Sequence, residues 1–275
     1  DYVASMSNNL AYVRTVEKLA NIEVPERAQY IRVISAELQR IASHLMATGF
    51  LLNDLGALAT PLMYCFRERE KILDLFEMLC GARITLSYMR PGGVLQDAPK
   101  EFWTSLKTLI SDLPHYLDDL EGLITSNEIV LARTKEVGIL SDAMAIDSSV
   151  SGPNLRASSV KWDLRKSDPY EIYDRLKFDV PIGALGDTFD RYYVRLLEMR
   201  ESVSMVSQCI DQIESGPIRT PTPFLIRPPV GETYSAVEGP KGELGFYMVS
   251  DGSIAPYRCK VRAPSFINLT PLKEM

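Results

Sequence analysis

VPERAQYIRVISAELQRIASHLM, residues 24 to 46, decides the fold. Pro25 suits a first helical position, and Glu26 complements the helix dipole there. Apolar residues then recur at Ile31, Ile34, Leu38, Ile41 and Leu45. That 3-4-3-4 spacing lays one apolar stripe along a helix. The opposite face carries Glu37, Arg40 and His44. A stripe of this kind packs among neighbouring helices in a bundle.

Working outward, residues 8 to 20 (NNLAYVRTVEKLA) form a shorter amphipathic segment. Residues 65 to 89 repeat the helical pattern until RPGG, residues 90 to 93, breaks it. A further helix is expected from about Pro99 to Ile124, kinked or divided at Pro114. Residues 134 to 181 lack a sustained period and read as an irregular region; stretches this long usually carry function or wrap a partner. Asp187 is placed to cap a helix running to about Glu214. From residue 217 the composition shifts. The Pro-rich PIRTPTPFLIRPP precedes short apolar runs separated by Gly turns, a hairpin or small-sheet signature. The expected fold is therefore mainly α. A helical core over 1–216, with the irregular region at 134–181, precedes a Pro-rich linker and small β region at 217–275.

Composition bounds the function. The 275 residues suffice for one large or two smaller domains, with 46% apolar and 24% charged residues. A net charge of −6 and the lack of any basic run exclude a nucleic-acid partner. No apolar run reaches the about 18 residues of a spanning helix. The nearest candidate, residues 45 to 64, has Asn53 and Asp54 at its centre. Cys65, Cys80, Cys209 and Cys259 make no CxxC pair, so no zinc or iron–sulfur ladder is signalled. Neither a GxGxxG nor a GxxxxGK[ST] motif supports nucleotide binding. The two histidines, His44 and His115, lie far apart, and His44 reads as a structural residue of its helix.

The ordered run VPERA, FRERE (66–70), GAR (81–83), RPGG, TKEVGILS (134–141), SGPNLRAS (151–158), WDLRK (162–166), EGPKGELG (238–245) and RAPSFINL (262–269) carries more. It resembles, over nearly the whole chain, the large quinone-site subunit of respiratory complex I. That family is related to the large subunits of nickel–iron hydrogenases, which implies a hydrogenase large-subunit-like α+β fold. Its chains extend further at both ends, so DYVASMSNN is expected to lie inside a longer chain whose upstream part carries a His loop. Hydrogenase relatives place a CxxC pair just before the VPERA helix. Its two positions fall here on Asp1 and Ala4, which supply no thiolates for nickel. No metal is therefore expected in this chain.

The resemblance implies a site. Tyr2 would donate a hydrogen bond from its phenol to a quinone carbonyl, and a phenol is chemically suited to that donation. Asp54, in LLNDLGALATP (51–61), would pair with the upstream His and relay charge. A carboxylate beside Leu51, Leu52 and Leu55 would also be poorly solvated. Arg83 and Arg90 would approach, along a helix, the terminal iron–sulfur cluster of a small partner subunit. Many relatives carry a His two residues after the position of Arg83, where this chain has Thr85. A Thr takes up no proton, which implies a lower, less pH-dependent cluster potential suited to a low-potential quinone such as menaquinone. Other readings stay open on the residues alone. Tyr2 could sit at a helix start with its hydroxyl on solvent or backbone, Asp54 could be a helix-end cap, and the arginines could be solvated or salt-bridged.

The implied function is a quinone-binding subunit of a proton-translocating NADH-quinone oxidoreductase, active only in its complex. The implied partners are the small iron–sulfur subunit, an adjacent peripheral-arm subunit of the C type and a membrane-arm subunit of the H type. The implied place is the cytoplasmic face of a bacterial inner membrane. The alternatives are a nickel–iron hydrogenase-type large subunit and a non-catalytic scaffold.

Overall fold

A computed structural model of the chain describes residues 3–57 and 59–275. Four long helices form its frame: α1 (Ser5–Ala20), α2 (Glu26–Leu52), α3 (Ala59–Cys80) and α4 (Lys100–Ile124). Between α3 and α4 runs a short antiparallel pair, β1 (Met89–Arg90) and β2 (Gly93–Val94). Short helices α5 (Glu128–Thr134), α6 (Asp142–Asp147), α7 (Pro153–Ala157) and α8 (Leu164–Ser167) lead to the long α9 (Thr188–Gln212). Strands β3 (Gly231–Gly239), β4 (Gly242–Ser250) and β5 (Arg258–Arg262) make an antiparallel sheet in the order β3-β4-β5, and α10 (Pro264–Ile267) follows. The mainly α fold with a small C-terminal sheet is the one the sequence implies.

α2 is the axis of the molecule. Its stripe of Ile31, Ile34, Leu38, Ile41 and Leu45 is at most 1% exposed. The opposite face is buried as well, because every residue from Tyr30 to Leu45 is buried. α3 packs on one side of α2 and α9 on another, while the sheet packs on α1. Arg14 of α1 donates to the Ala236 carbonyl (2.8 Å) and Lys18 to that of Tyr234 (3.0 Å), which fixes β3 on the helix.

Two sequence expectations need correction. The helix expected over 65–89 ends at Cys80. Gly81 takes a left-handed φ of +73°, and its N–H caps the Glu77 carbonyl at 2.8 Å. Arg83 therefore lies on an irregular loop and Arg90 on β1. Pro114 does not divide α4, whose residues Phe102, Leu106, Leu109, Leu113, Leu117 and Leu120 form one buried stripe through it. Packing of that stripe outweighs the single lost backbone bond. Asp187 caps α9 as expected, accepting from the Asp190 amide at 2.8 Å. EGPKGELG forms the β3–β4 turn at Gly239–Gly242.

Candidate functional site

The buried polar face of α2 opens onto a frame of charges. Glu37 accepts from Arg165 Nη1 (3.1 Å to each oxygen), Arg40 Nε (3.1 Å), Ser202 Oγ (2.6 Å) and the Tyr173 hydroxyl (2.5 Å). Burial alone would raise its pKa; Arg40 and Arg165 overcome that and hold it down at about 2. Arg165 grips Asp163 at 2.7 Å, and Arg40 donates to the carbonyls of Glu238 (2.5 Å) and Gly239 (3.0 Å). Arg156 bridges Glu198 (2.7 Å) and Glu238 (2.8 Å), and His44 Nε2 meets Glu198 at 2.8 Å. All these side chains are buried. The irregular region 134–181 supplies Arg156, Asp163 and Arg165, so it wraps this chain's own core. The Arg of SGPNLRAS, Arg156, is fully buried.

Sequence reasoning missed this network. The available signal was the charge of Glu37 and Arg40 inside an unbroken helical apolar pattern. His44 is, as expected, a satisfied structural His. A second cluster joins Arg32 to Glu17 (2.5 Å) and Glu171 (3.2 Å) and donates to the carbonyls of Arg90 and Gly93 (both 2.9 Å). It anchors the RPGG turn to α2.

A cleft of about 580 Å³ runs along the C-terminal half of α2, lined by Val3, Ser43, Met46, Ala47, Phe50 and, opposite, Arg195. From Ser43 to Phe50 it follows about 10 Å of helix. Val3 is tied to α2 through its carbonyl, which accepts from Gln39 Nε2 at 2.9 Å. Tyr2 lies outside the described residues. Asp54 sits four residues beyond Phe50 in a single π turn, Asn53–Ala57, where Gly56 reverses φ to +91°. Its carboxylate is exposed rather than enclosed by Leu51, Leu52 and Leu55, because that turn carries it out of the apolar run.

Arg83 lies at the other end of α3, whose 22 residues span roughly 33 Å. Asp54 and Arg83 are therefore not brought together. Arg83 is half-buried and pairs with three carboxylates of α3: Glu70 (2.6 Å), Asp74 (2.5 Å) and Glu77 (3.0 Å). Hydrogen bonding to Asp74, then Glu77 and Glu70, raises its pKa. Its charge is thus locally offset. Arg90 donates to Ser87 Oγ (3.2 Å) and the Met89 carbonyl (2.9 Å). FRERE lies on α3 as a salt-bridged helix face, with Glu68 joined to Arg67 (2.8 Å) and Lys71 (2.7 Å).

The loop bearing Arg83 and Thr85 is stapled to the start of α1. Ser5 Oγ donates to the Ile84 carbonyl at 2.6 Å and accepts from the Leu86 amide at 3.2 Å. Asn9 Oδ1 accepts from the amides of Tyr88 (3.0 Å) and Met89 (2.7 Å). Ile84, Thr85 and Ser87 remain exposed. Among the described residues no group of three or more His, Cys, Asp or Glu is placed to hold a metal ion.

The described residues thus form a mainly α chain whose buried charged frame carries an open cleft and an exposed loop. The family described as the respiratory-chain NADH dehydrogenase 49 Kd subunit matches residues 54–227 and 221–275. The D-type subunit of the NADH-quinone oxidoreductase of Dehalococcoides mccartyi is 58% identical over 275 residues, covering all of this chain and 75% of that protein. Its counterparts in Desulforamulus reducens and Carboxydothermus hydrogenoformans are 55% and 51% identical, with the same coverage. The chain belongs to the 49 Kd subunit family of the respiratory-chain NADH dehydrogenase. Membership makes it a subunit of an oxidoreductase complex.

Proposed function

We propose that this chain forms one wall of the quinone reduction site of a proton-translocating NADH-quinone oxidoreductase. Tyr2 donates a hydrogen bond to a quinone carbonyl, and Asp54, at the far end of the α2 cleft, relays charge. The exposed loop through Arg83 and Thr85, with Arg90 behind it, faces the terminal iron–sulfur cluster of a small partner subunit. C-type and H-type subunits flank the chain, which sits peripherally on the cytoplasmic face of the inner membrane. Among the described residues no helix is long and apolar enough to cross a membrane.

One observation carries this reading. The Ser5 and Asn9 staples tie the segment that immediately follows Tyr2 to the loop at 84–89. A quinone held by Tyr2 would therefore sit beside the surface through which electrons arrive. The cleft next to Val3 supplies an apolar wall for such a ligand.

Tyr2→Phe in the intact complex tests it. Loss of the phenolic proton donor should lower quinone kcat/KM by roughly 10- to 100-fold. Electron transfer from NADH to an artificial acceptor upstream of the quinone should be unaffected. Unchanged quinone kcat and KM would overturn the assignment and leave the scaffold reading.

A further inference from the structure

α1 begins without a cap of its own. Ala4 stands at the N-cap position and has no side-chain acceptor for the first-turn amides. The Ser5 hydroxyl is engaged with the Ile84 carbonyl and the Leu86 amide. An acceptor comes instead from another helix. Gln39 of α2, itself buried, accepts from the Met6 amide through Oε1 at 3.3 Å. Through Nε2 it donates to the Val3 carbonyl at 2.9 Å. An amide N–H requires an acceptor and a carbonyl requires a donor, so one orientation of the Gln39 amide serves both. Asn carries the same two groups on a side chain one methylene shorter, and Met carries neither.

The tie is rigid at its α2 end. Gln39 lies in the stretch from Tyr30 to Leu45 in which every residue is buried. Its neighbour Arg40 is locked by Glu37 and by the carbonyls of Glu238 and Gly239. At the other end the tie holds Val3, the residue joined to Tyr2. The Ser5 and Asn9 staples act three and seven residues after Tyr2 and reach a loop. Gln39 acts one residue after Tyr2 and refers it to the axis of the molecule. Ser43, on the α2 wall of the cleft, follows Gln39 by one turn on the same helix face.

We propose that Gln39 is a positioning residue for the quinone site. Its amide fixes the backbone that carries Tyr2, and so sets where the phenol meets the quinone carbonyl. The inference rests on the assignment of Tyr2 made above and adds that α2 sets the geometry of that hydrogen bond. Without the Gln39 amide the buried Met6 N–H loses its acceptor and the Val3 carbonyl its donor. The start of α1 then shifts to find other partners, and a misplacement of about 1 Å at a reacting group can cost on the order of 100-fold in rate.

A double-mutant cycle in the intact complex tests it. Gln39→Met keeps the length of the side chain and removes both hydrogen bonds. It should lower quinone kcat/KM by roughly 10-fold. Electron transfer from NADH to an artificial acceptor upstream of the quinone should be unchanged. In the Tyr2→Phe background the same substitution should change quinone kcat/KM by less than about 2-fold, because the phenol it positions is already gone. A Gln39 that only stabilised α1 would instead lower activity by the same factor in both backgrounds. Gln39→Asn, too short to span both groups, should repeat the pattern and replaces Gln39→Met if that variant prevents assembly. Losses that multiply, or no loss from the Gln39 variants beside a clear loss from Tyr2→Phe, would overturn this inference and leave the assignment of Tyr2 standing. No loss from Tyr2→Phe would overturn both.

Discussion

At the scale of single residues, His44 is the most informative. Burial holds its pKa down at about 4, against the pull of Glu198, so near neutral pH it is a neutral ring donating to that carboxylate. In an unfolded chain it would titrate near 6.5. The folded state therefore binds fewer protons than the unfolded state between these values. Its contribution to stability is complete above about pH 6.5 and is lost as pH falls toward 4. Glu37, held down at about 2, acts only below its ordinary range near 4.5. Between pH 6.5 and 4.5 His44 weakens the fold as pH falls, while Glu171 and Glu238, whose pKa burial raises, act in the opposite sense. In hydrogen exchange of α2 amides in the assembled complex, His44 should contribute a fall of about 2 to 3 kcal/mol in opening free energy across that window. His44→Gln should flatten that decline; an equally steep decline in the variant would assign the effect elsewhere.

At the scale of elements, backbone contacts decide what propensity does not. Gly152, at a φ of +70°, leads into α7 and lies against the hairpin turn. A Cβ there would fall 2.4 Å from Gly242 Cα and 2.5 Å from its amide nitrogen. Gly152→Ala should therefore force α7 off the hairpin and cost roughly 3 kcal/mol or more. The ion pair of Arg156 with Glu238 joins the same two elements and would be strained with it. Gly122, inside α4 with nothing within 4 Å of its would-be Cβ, is the contrast. Gly122→Ala should stabilise by about 0.5 to 1 kcal/mol. Thermal inactivation of the two variant complexes, compared with the parent, reads both signs. The sequence shows why one half of this contrast was legible. The periods of α2 and α4 announce their buried stripes. Nothing local announces that SGPNLRAS and EGPKGELG touch, because their contact is set by the path of a region without a period.

At the scale of the whole molecule, the candidate residues named from the sequence lie at or near the surface, and the charged frame it did not reveal is what the fold buries. The family resemblance named Asp54, Arg83 and Arg90 as candidates, where the residues by themselves left a cap or a salt bridge open. It could not show that α3 keeps Asp54 and Arg83 at opposite ends, that three carboxylates offset Arg83, or that Glu37, Asp163 and Glu198 lock the frame. Those facts depend on helix length, on the turn after Gly81 that brings Arg83 back to α3, and on pairings as distant as that of Glu37 with Arg165, 128 positions apart. The exposed loop at Thr85 gives the last prediction. If a partner's iron–sulfur cluster faces this loop, the side chain at 85 decides whether reduction of the cluster is coupled to protonation. Thr85 has no titrating group, so the cluster potential should be nearly constant between pH 6 and 8. Thr85→His would introduce a ring whose proton affinity rises when the cluster gains an electron. Its potential should then fall with pH by up to roughly 60 mV per pH unit, the limit for one proton per electron. Redox titration of the cluster in the parent and variant complexes measures this directly. The loop's stapling to Ser5 and Asn9 uses main-chain atoms of residues 84, 86, 88 and 89 and not the Thr85 side chain, so the substitution should leave assembly intact. A steep slope already present in the parent, or none in the variant, would place the proton-coupled group on another subunit and detach this loop from the cluster.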